Sequence, residues 1–95
     1  MIERHVSYEV PMAKAAEFER FFTERYRPPV LEMPGLQECS LLRESDDPTR
    51  YQMVFRWATA EQAAAWRTSP VHQALQPDLN GLHSGMHIVA YSKLS

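Results

Sequence analysis

Tyr51, Met53, Phe55 and Trp57 alternate with Gln52, Val54 and Arg56. Side chains of a strand alternate between its faces, so this pattern predicts a strand with four large residues on one side. Ala58-Thr59 then turns the chain. Thr59 with Gln62 three residues on is a capping-box spacing, and Ala63, Ala64 and Ala65 favour helix, with Trp66 on the face of Ala63. Pro70 breaks that helix, and Ser69 is placed to cap a second short one that starts at Pro70. Val71, Ala74 and Leu75 are its expected buried side, with His72 near the edge.

The same reading places the other elements. Ile2 to Val10 is the first strand, with Val6, Tyr8 and Val10 apolar and His5, Ser7 and Glu9 polar. Ala13 to about Arg27 is an amphipathic helix: Ala15, Phe18, Phe22 and Tyr26 recur at helical spacing, Phe21 lies beside them, and Pro28-Pro29 is expected to end it. Leu36 to Arg43 is the second strand. Both its faces are mixed, as in a strand covered on both sides. Ser45-Asp46-Asp47-Pro48-Thr49 is a turn, so the second and third strands form a hairpin. Pro77, Asn80 and Gly81 close the last helix, and His87 to Lys93 is the fourth strand. The order β-α-β-β-α-β predicts a ferredoxin-like α+β domain, a four-stranded antiparallel sheet with helices on one face. The bare face needs a cover, and the economical one is a second copy of the chain.

Totals refine this picture. Ninety-five residues make one domain spanning 1–95, small enough to gain from a partner subunit. Net charge is −2 and the basic residues are scattered, which argues against nucleic acid. The single cysteine, Cys39, excludes an internal disulfide and a cysteine-based metal site within one chain. No apolar run is long enough for a bilayer, and the N-terminal charges do not suit a signal peptide, so no membrane partner and a cytoplasmic location are expected.

Candidate chemistry is sparse. Three glycines form no phosphate loop, so neither nucleotide nor flavin is signalled, and G-x-S-x-G is missing. His83 and His87 have i, i+4 spacing but fall at a loop entering a strand, so no metal site is expected. His72 reads as an acid/base group beside the sheet, because its ordinary pKa lies near neutrality, or equally as a helix histidine bonded to Ser69 or Gln76. Trp66 reads as the wall of a pocket for a flat molecule or as a core anchor. Tyr8, Tyr26 and Tyr91 bring hydroxyls. Arg43 and Arg56 either bind an acidic substrate or pair with Glu38 or Glu9.

The run W-x8-W-x2-S-P-x-H (Trp57, Trp66, Ser69, Pro70, His72) and Met33-Pro34-Gly35 leading into a strand resemble the antibiotic biosynthesis monooxygenase-like family of dimeric α/β-barrel proteins. The resemblance spans nearly the whole chain. It implies a homodimer whose two sheets approximate a barrel, and a cofactor-free monooxygenase acting on small aromatic, anthrone- or quinol-like molecules. In that expectation the catalytic residues are His72, Trp66 and Tyr8, the substrate-binding residues are Trp66, Tyr26, Arg56 and Phe22, and neither metal nor cofactor takes part. Haem-degrading enzymes of the same fold share Trp66. They carry an asparagine on the first strand and a histidine one turn past His72, where this chain has His5-Val6-Ser7-Tyr8 and Gln76. A non-catalytic binding or structural protein of the same shape is the alternative. A pocket lined by Trp66, His72 and a tyrosine favours the enzyme; a cavity filled by Phe18, Phe22 and Met53 favours the alternative.

Overall fold

A computed structural model describes all residues, Met1–Ser95. Strand β1 is Ile2–Glu9. A 3-10 turn, Met12–Lys14, leads into helix α1, Ala15–Phe21, which passes through a π-helical turn at Phe22–Tyr26 into helix α2, Arg27–Leu31. Strands β2 (Leu36–Arg43) and β3 (Arg50–Trp57) follow, then helices α3 (Ala60–Arg67) and α4 (Pro70–Asn80), then strand β4 (Gly85–Ser92). The sheet order is β2-β3-β1-β4 with every pair antiparallel, the ferredoxin-like arrangement.

Paired residues share a face. Val6 pairs with Met53 and with Ile88, Tyr8 with Tyr51 and with Met86, so these side chains point together toward the helices. Phe18, Phe21, Phe22, Tyr26 and Val30 from the first helical run meet Tyr51, Met53, Phe55 and Trp57 of β3, and Ala63, Trp66, Leu75 and Leu79 complete the core. No charged or polar residue is buried among them. Each β3 position expected on the apolar face is there, because period-two alternation leaves that strand no other way to bury four large side chains.

Four local expectations are corrected. The first helix does not end at Pro28-Pro29 but runs on to Leu31. The wide turn at Phe22–Tyr26 restarts the helix, and the two prolines fall in its first turn, where no backbone N–H is needed. Pro77 likewise lies inside α4, not at its end. The buried side of α4 is Leu75 and Leu79; Val71 and Ala74 are exposed. In β2 the pairing slips between Leu36 and Glu38, a bulge that brings Leu36 to the side of Cys39 and Leu41 and so resolves a strand whose faces look mixed in sequence.

The opposite face of the sheet is bare. It carries Glu3, His5, Ser7, Gln52, Val54, Arg56, Glu38, Val89 and Tyr91 by the same register. No helix is long and apolar enough to cross a membrane.

Candidate active site

The corner between β3 and α4 is fixed by two caps. Thr59 Oγ1 accepts the Gln62 N–H at 3.2 Å, and Ser69 Oγ accepts the His72 N–H at 3.1 Å while donating to the Trp66 carbonyl at 2.7 Å. Only half of the expected capping box forms. The Gln62 side chain does not return to Thr59. It fills the space beside Gly35, where a Cβ would lie 1.8 Å from Gln62 Oε1. Gly35 has φ +84, a conformation in which a side chain is strained, so the Pro34-Gly35 junction needs its glycine.

These caps bring Trp66 and His72 together. Their ring centroids are 5.2 Å apart at 75°, edge to face, and Tyr26 lies 5.7 Å from Trp66 and 6.3 Å from His72. Trp66 Nε1 donates to the Tyr26 hydroxyl at 3.4 Å. This trio walls a cleft of about 80 Å³ between α3, α4 and the β1–β4 edge. Arg4, Val6 and Tyr8 supply the β1 wall, Gln76 and Arg67 the helix wall, and Met86 and Ile88 the β4 wall. The last two are half exposed, so the cleft opens over an apolar lip.

Burial sets the chemistry. The Tyr26 phenol is pushed up to about 12, and Tyr8 upward as well, both mainly by desolvation. Each therefore stays a proton donor at neutral pH. The Tyr8 hydroxyl makes no hydrogen bond within the protein, and its ring sits 5.0 Å from His83 and 5.4 Å from Phe18. His72 is held below its ordinary pKa by burial first and by the nearby Arg4 charge second. It is a neutral imidazole at pH 7. Nε2 lies 3.2 Å from Gln76 Nε2, and Nδ1 is enclosed without a hydrogen-bond partner.

Four of the six residues expected at the site, His72, Trp66, Tyr8 and Tyr26, thus line one cleft. Two do not. Arg56 lies on the bare face, bound by Glu3 at 3.3 Å and Glu38 at 3.2 Å, because alternation along β3 sends it opposite to Phe55. Phe22 is buried behind Tyr26, stacked on it at 6.2 Å, and backs the cleft wall. Arg43 is on the helix face, where it and the Tyr51 hydroxyl both bind Glu19. Tyr91 faces the bare side, 4.9 Å from His5. His83 packs on Tyr8 while His87 pairs with Ser7 on the bare face, so the two histidines point apart.

Sequence reasoning missed Arg4 and Arg67, while Gln76, expected as a partner of His72, is one. Arg4 left a signal: it occupies the next position on the apolar face of β1 below Val6 and Tyr8. Arg67 left none, since it reads as an ordinary wet helix residue. A larger hollow, about 780 Å³, sits at the other end of the sheet around Glu9, Glu44 and Arg50. There Arg50 is paired with both carboxylates and Arg43 with Glu19, and the one histidine, His87, is exposed on the bare-face side of β4, with no tryptophan beside it.

Solved structures share this architecture. The cofactor-independent oxygenase SnoaB from Streptomyces nogalater, as an N63A mutant, aligns with TM-score 0.88 at 20% identity over 99% of this chain and 93% of that one. A conserved protein from Methanosarcina mazei Go1 gives 0.89 at 18% over 98% and 92%. A candidate antibiotic biosynthesis monooxygenase from Nitrosomonas europaea gives 0.88 at 22% over the whole of both chains. At such identities the likeness is one of fold. Among proteins of curated function none matches the sequence. The sequence model of the family described as antibiotic biosynthesis monooxygenase matches residues 1–78, from β1 to within α4 and so across Trp66 and His72, and this chain belongs to that family.

Proposed function

We propose that the chain is a cofactor-independent monooxygenase of a small aromatic, anthrone- or quinol-like substrate. The observation that carries this reading is a neutral, half-buried His72 set edge-on to Trp66 and Tyr26 in one cleft. His72 accepts a proton from the substrate, and the resulting delocalised anion gives electrons to dioxygen. Tyr8, a phenol held in its protonated form with no partner of its own, donates to the developing oxyanion. For an anthrone the balance closes without an outside reductant. One atom of dioxygen becomes the ring carbonyl, and the other leaves as water with both methylene hydrogens.

A non-catalytic protein, binding a small molecule or only structural, is the second reading, and one observation favours its structural form. At about 80 Å³ the cleft is far below the roughly 300 Å³ of ordinary small-molecule sites, while Phe18 and Met53 fill the interior beside it. An oxygenase substrate must therefore enter by one ring edge, with the remainder over Met86 and Ile88. The reading also includes a homodimer joined through the bare sheet face.

Oxygen uptake by the metal-stripped protein with a panel of hydroquinones and anthrones tests the proposal. The expected result is protein-dependent uptake that falls on the order of a hundred-fold in His72→Ala, the scale of general-base catalysis. Uptake unchanged in both His72→Ala and Tyr8→Phe would remove the assigned roles. Binding of these molecules with no uptake would favour the second reading.

A further inference from the structure

The cleft has a charge that the proposed reaction does not by itself require. Of the eight arginines, Arg25, Arg43, Arg50 and Arg56 are paired with carboxylates. Arg4, Arg20, Arg27 and Arg67 are not. Arg20 and Arg27 lie in shallow surface hollows that also contain Glu17, Glu24 and Asp78, or Glu19. Arg4 and Arg67 share the Trp66–His72 cleft, and no Asp or Glu lines it. It is the one hollow of this molecule with arginines and no carboxylate, in a chain whose net charge is negative.

We propose that this cleft takes an aromatic carboxylate, its ring against Trp66 and Tyr26 and its carboxylate between the guanidinium groups of Arg4 and Arg67. Guanidinium presents a planar fork of donors that matches a carboxylate and keeps its charge at all working pH values. Arg4 is half-buried, and both burial and the neighbouring Arg67 oppose its charge. A half-buried cation without a partner costs free energy that a bound anion recovers. The same two charges bear on His72, so an anion placed between them raises the basicity of His72 when the ligand is present. That couples binding to the proton transfer. The carboxylate narrows the substrate class of the proposed oxygenation. It rests on that reading for the ligand's role as substrate, and not for its binding.

The test is a titration of the full-length protein with benzoate and with its neutral isostere benzamide, read from the Trp66 indole N–H signal in NMR, with buried Trp57 as internal reference. Benzoate is expected to bind on the order of ten-fold more tightly than benzamide at low salt, with the margin shrinking as salt rises. Arg4→Gln and Arg67→Gln are each expected to weaken benzoate and leave benzamide unchanged, and the double variant to erase the preference. Benzoate should also move the His72 titration upward in the wild type and not in the double variant. Arg67 is exposed at the end of α3, so Arg67→Gln answers even if Arg4→Gln fails to fold. Equal affinity for the two probes, a preference surviving in the double variant, or no binding of either at millimolar concentration overturns the proposal. So does inorganic phosphate that matches benzoate in affinity and effect. Oxygen uptake on neutral quinols without a benzoate preference removes the clamp and leaves the oxygenase. A benzoate preference without uptake on any substrate does the reverse.

Discussion

His72 serves as a base only while uncharged, and every element packed around it keeps it so. From β1 it faces Arg4 and Tyr8, from the π-helical turn Tyr26, from α3 Arg67, and from its own helix Gln76; none is a carboxylate. Its pKa therefore lies below the ordinary 6.5, with burial the larger cause and Arg4 the next. For the proposed reaction, kcat/KM is expected to rise with pH through an inflection below 6.5 and to stay level through neutrality. In Arg4→Gln that inflection moves part of the way back toward 6.5, since burial remains. An inflection above 6.5, or none, would mean that His72 is not the base. The same depression makes a prediction for stability. His83, also lowered by burial, acts in the same direction. The unfolded chain takes up protons on both histidines near 6.5 and the folded chain only at lower pH. Stability is thus fully present above 6.5 and is lost as pH falls toward the folded values. Melting temperature is expected to drop between pH 7 and 5, before Glu3 and Asp47 begin to contribute at lower pH. A flat profile there would contradict the burial of both rings. Cys39 is the contrasting case: burial pushes its thiol up to about 12, so it has almost no thiolate at neutral pH and no claim on the chemistry.

Among the secondary-structure elements, those with strong short-range signals were readable from sequence. β3 and the Thr59 and Ser69 caps follow from period two and from single hydroxyls at helix starts. The elements that escaped are set by events no local pattern announces. Pro28-Pro29 reads as a stop because the residue before proline avoids helical angles, yet a widened turn at Phe22–Tyr26 re-registers the helix so that both prolines sit in its first turn. The β2 bulge depends on how β3 pairs with it, which sequence alternation alone does not reveal. For the site the limit is similar. Trp66, His72 and the two tyrosines are legible because the family resemblance and the spacing along helix and strand single them out, whereas Arg56 lies where the alternation of β3 already points it, away from the large apolar face, and it is the expectation of an acidic-substrate role that sets it in the cleft. Gly35 shows how an element boundary is tested. Gly35→Ala forces a side chain into φ +84 and onto the Gln62 amide. The amide is a flexible chain end and can swing away, so the backbone term dominates. The substitution is expected to cost about 1–2 kcal/mol in denaturant unfolding, and nearly the same in a Gln62→Ala background. If Gln62→Ala rescues it fully, the cost was steric and the left-handed conformation was not the constraint.

In the whole molecule one face of the sheet is bare. A sheet with helices on one side leaves the other in water unless something covers it, and all the helices formed by residues 1–95 lie on the one side. Here that face mixes paired polar groups with a few apolar ones. Val54 is already 7% exposed without any cover. Around it Arg56 bridges Glu3 and Glu38, and Glu3 also binds His5 at 2.7 Å, so these groups are already paired with one another within the chain. Leu42 and Tyr91, exposed on the same face at opposite edges of the sheet, supply apolar contact. A second copy related by a two-fold axis places this face on itself, as the proposed dimer requires. Light scattering is then expected to give twice the 11.0 kDa of one chain. Leu42→Glu with Tyr91→Glu should return it to the single-chain mass by adding like charges across the axis, and high salt should restore part of the dimer. The Trp66–His72 cleft lies on the helix side and is built within one chain, so benzoate should still shift the Trp66 signal in that monomeric variant. A wild-type mass of one chain would reject the dimer, and loss of the benzoate response on separation would show that the cleft depends on the partner across the sheet.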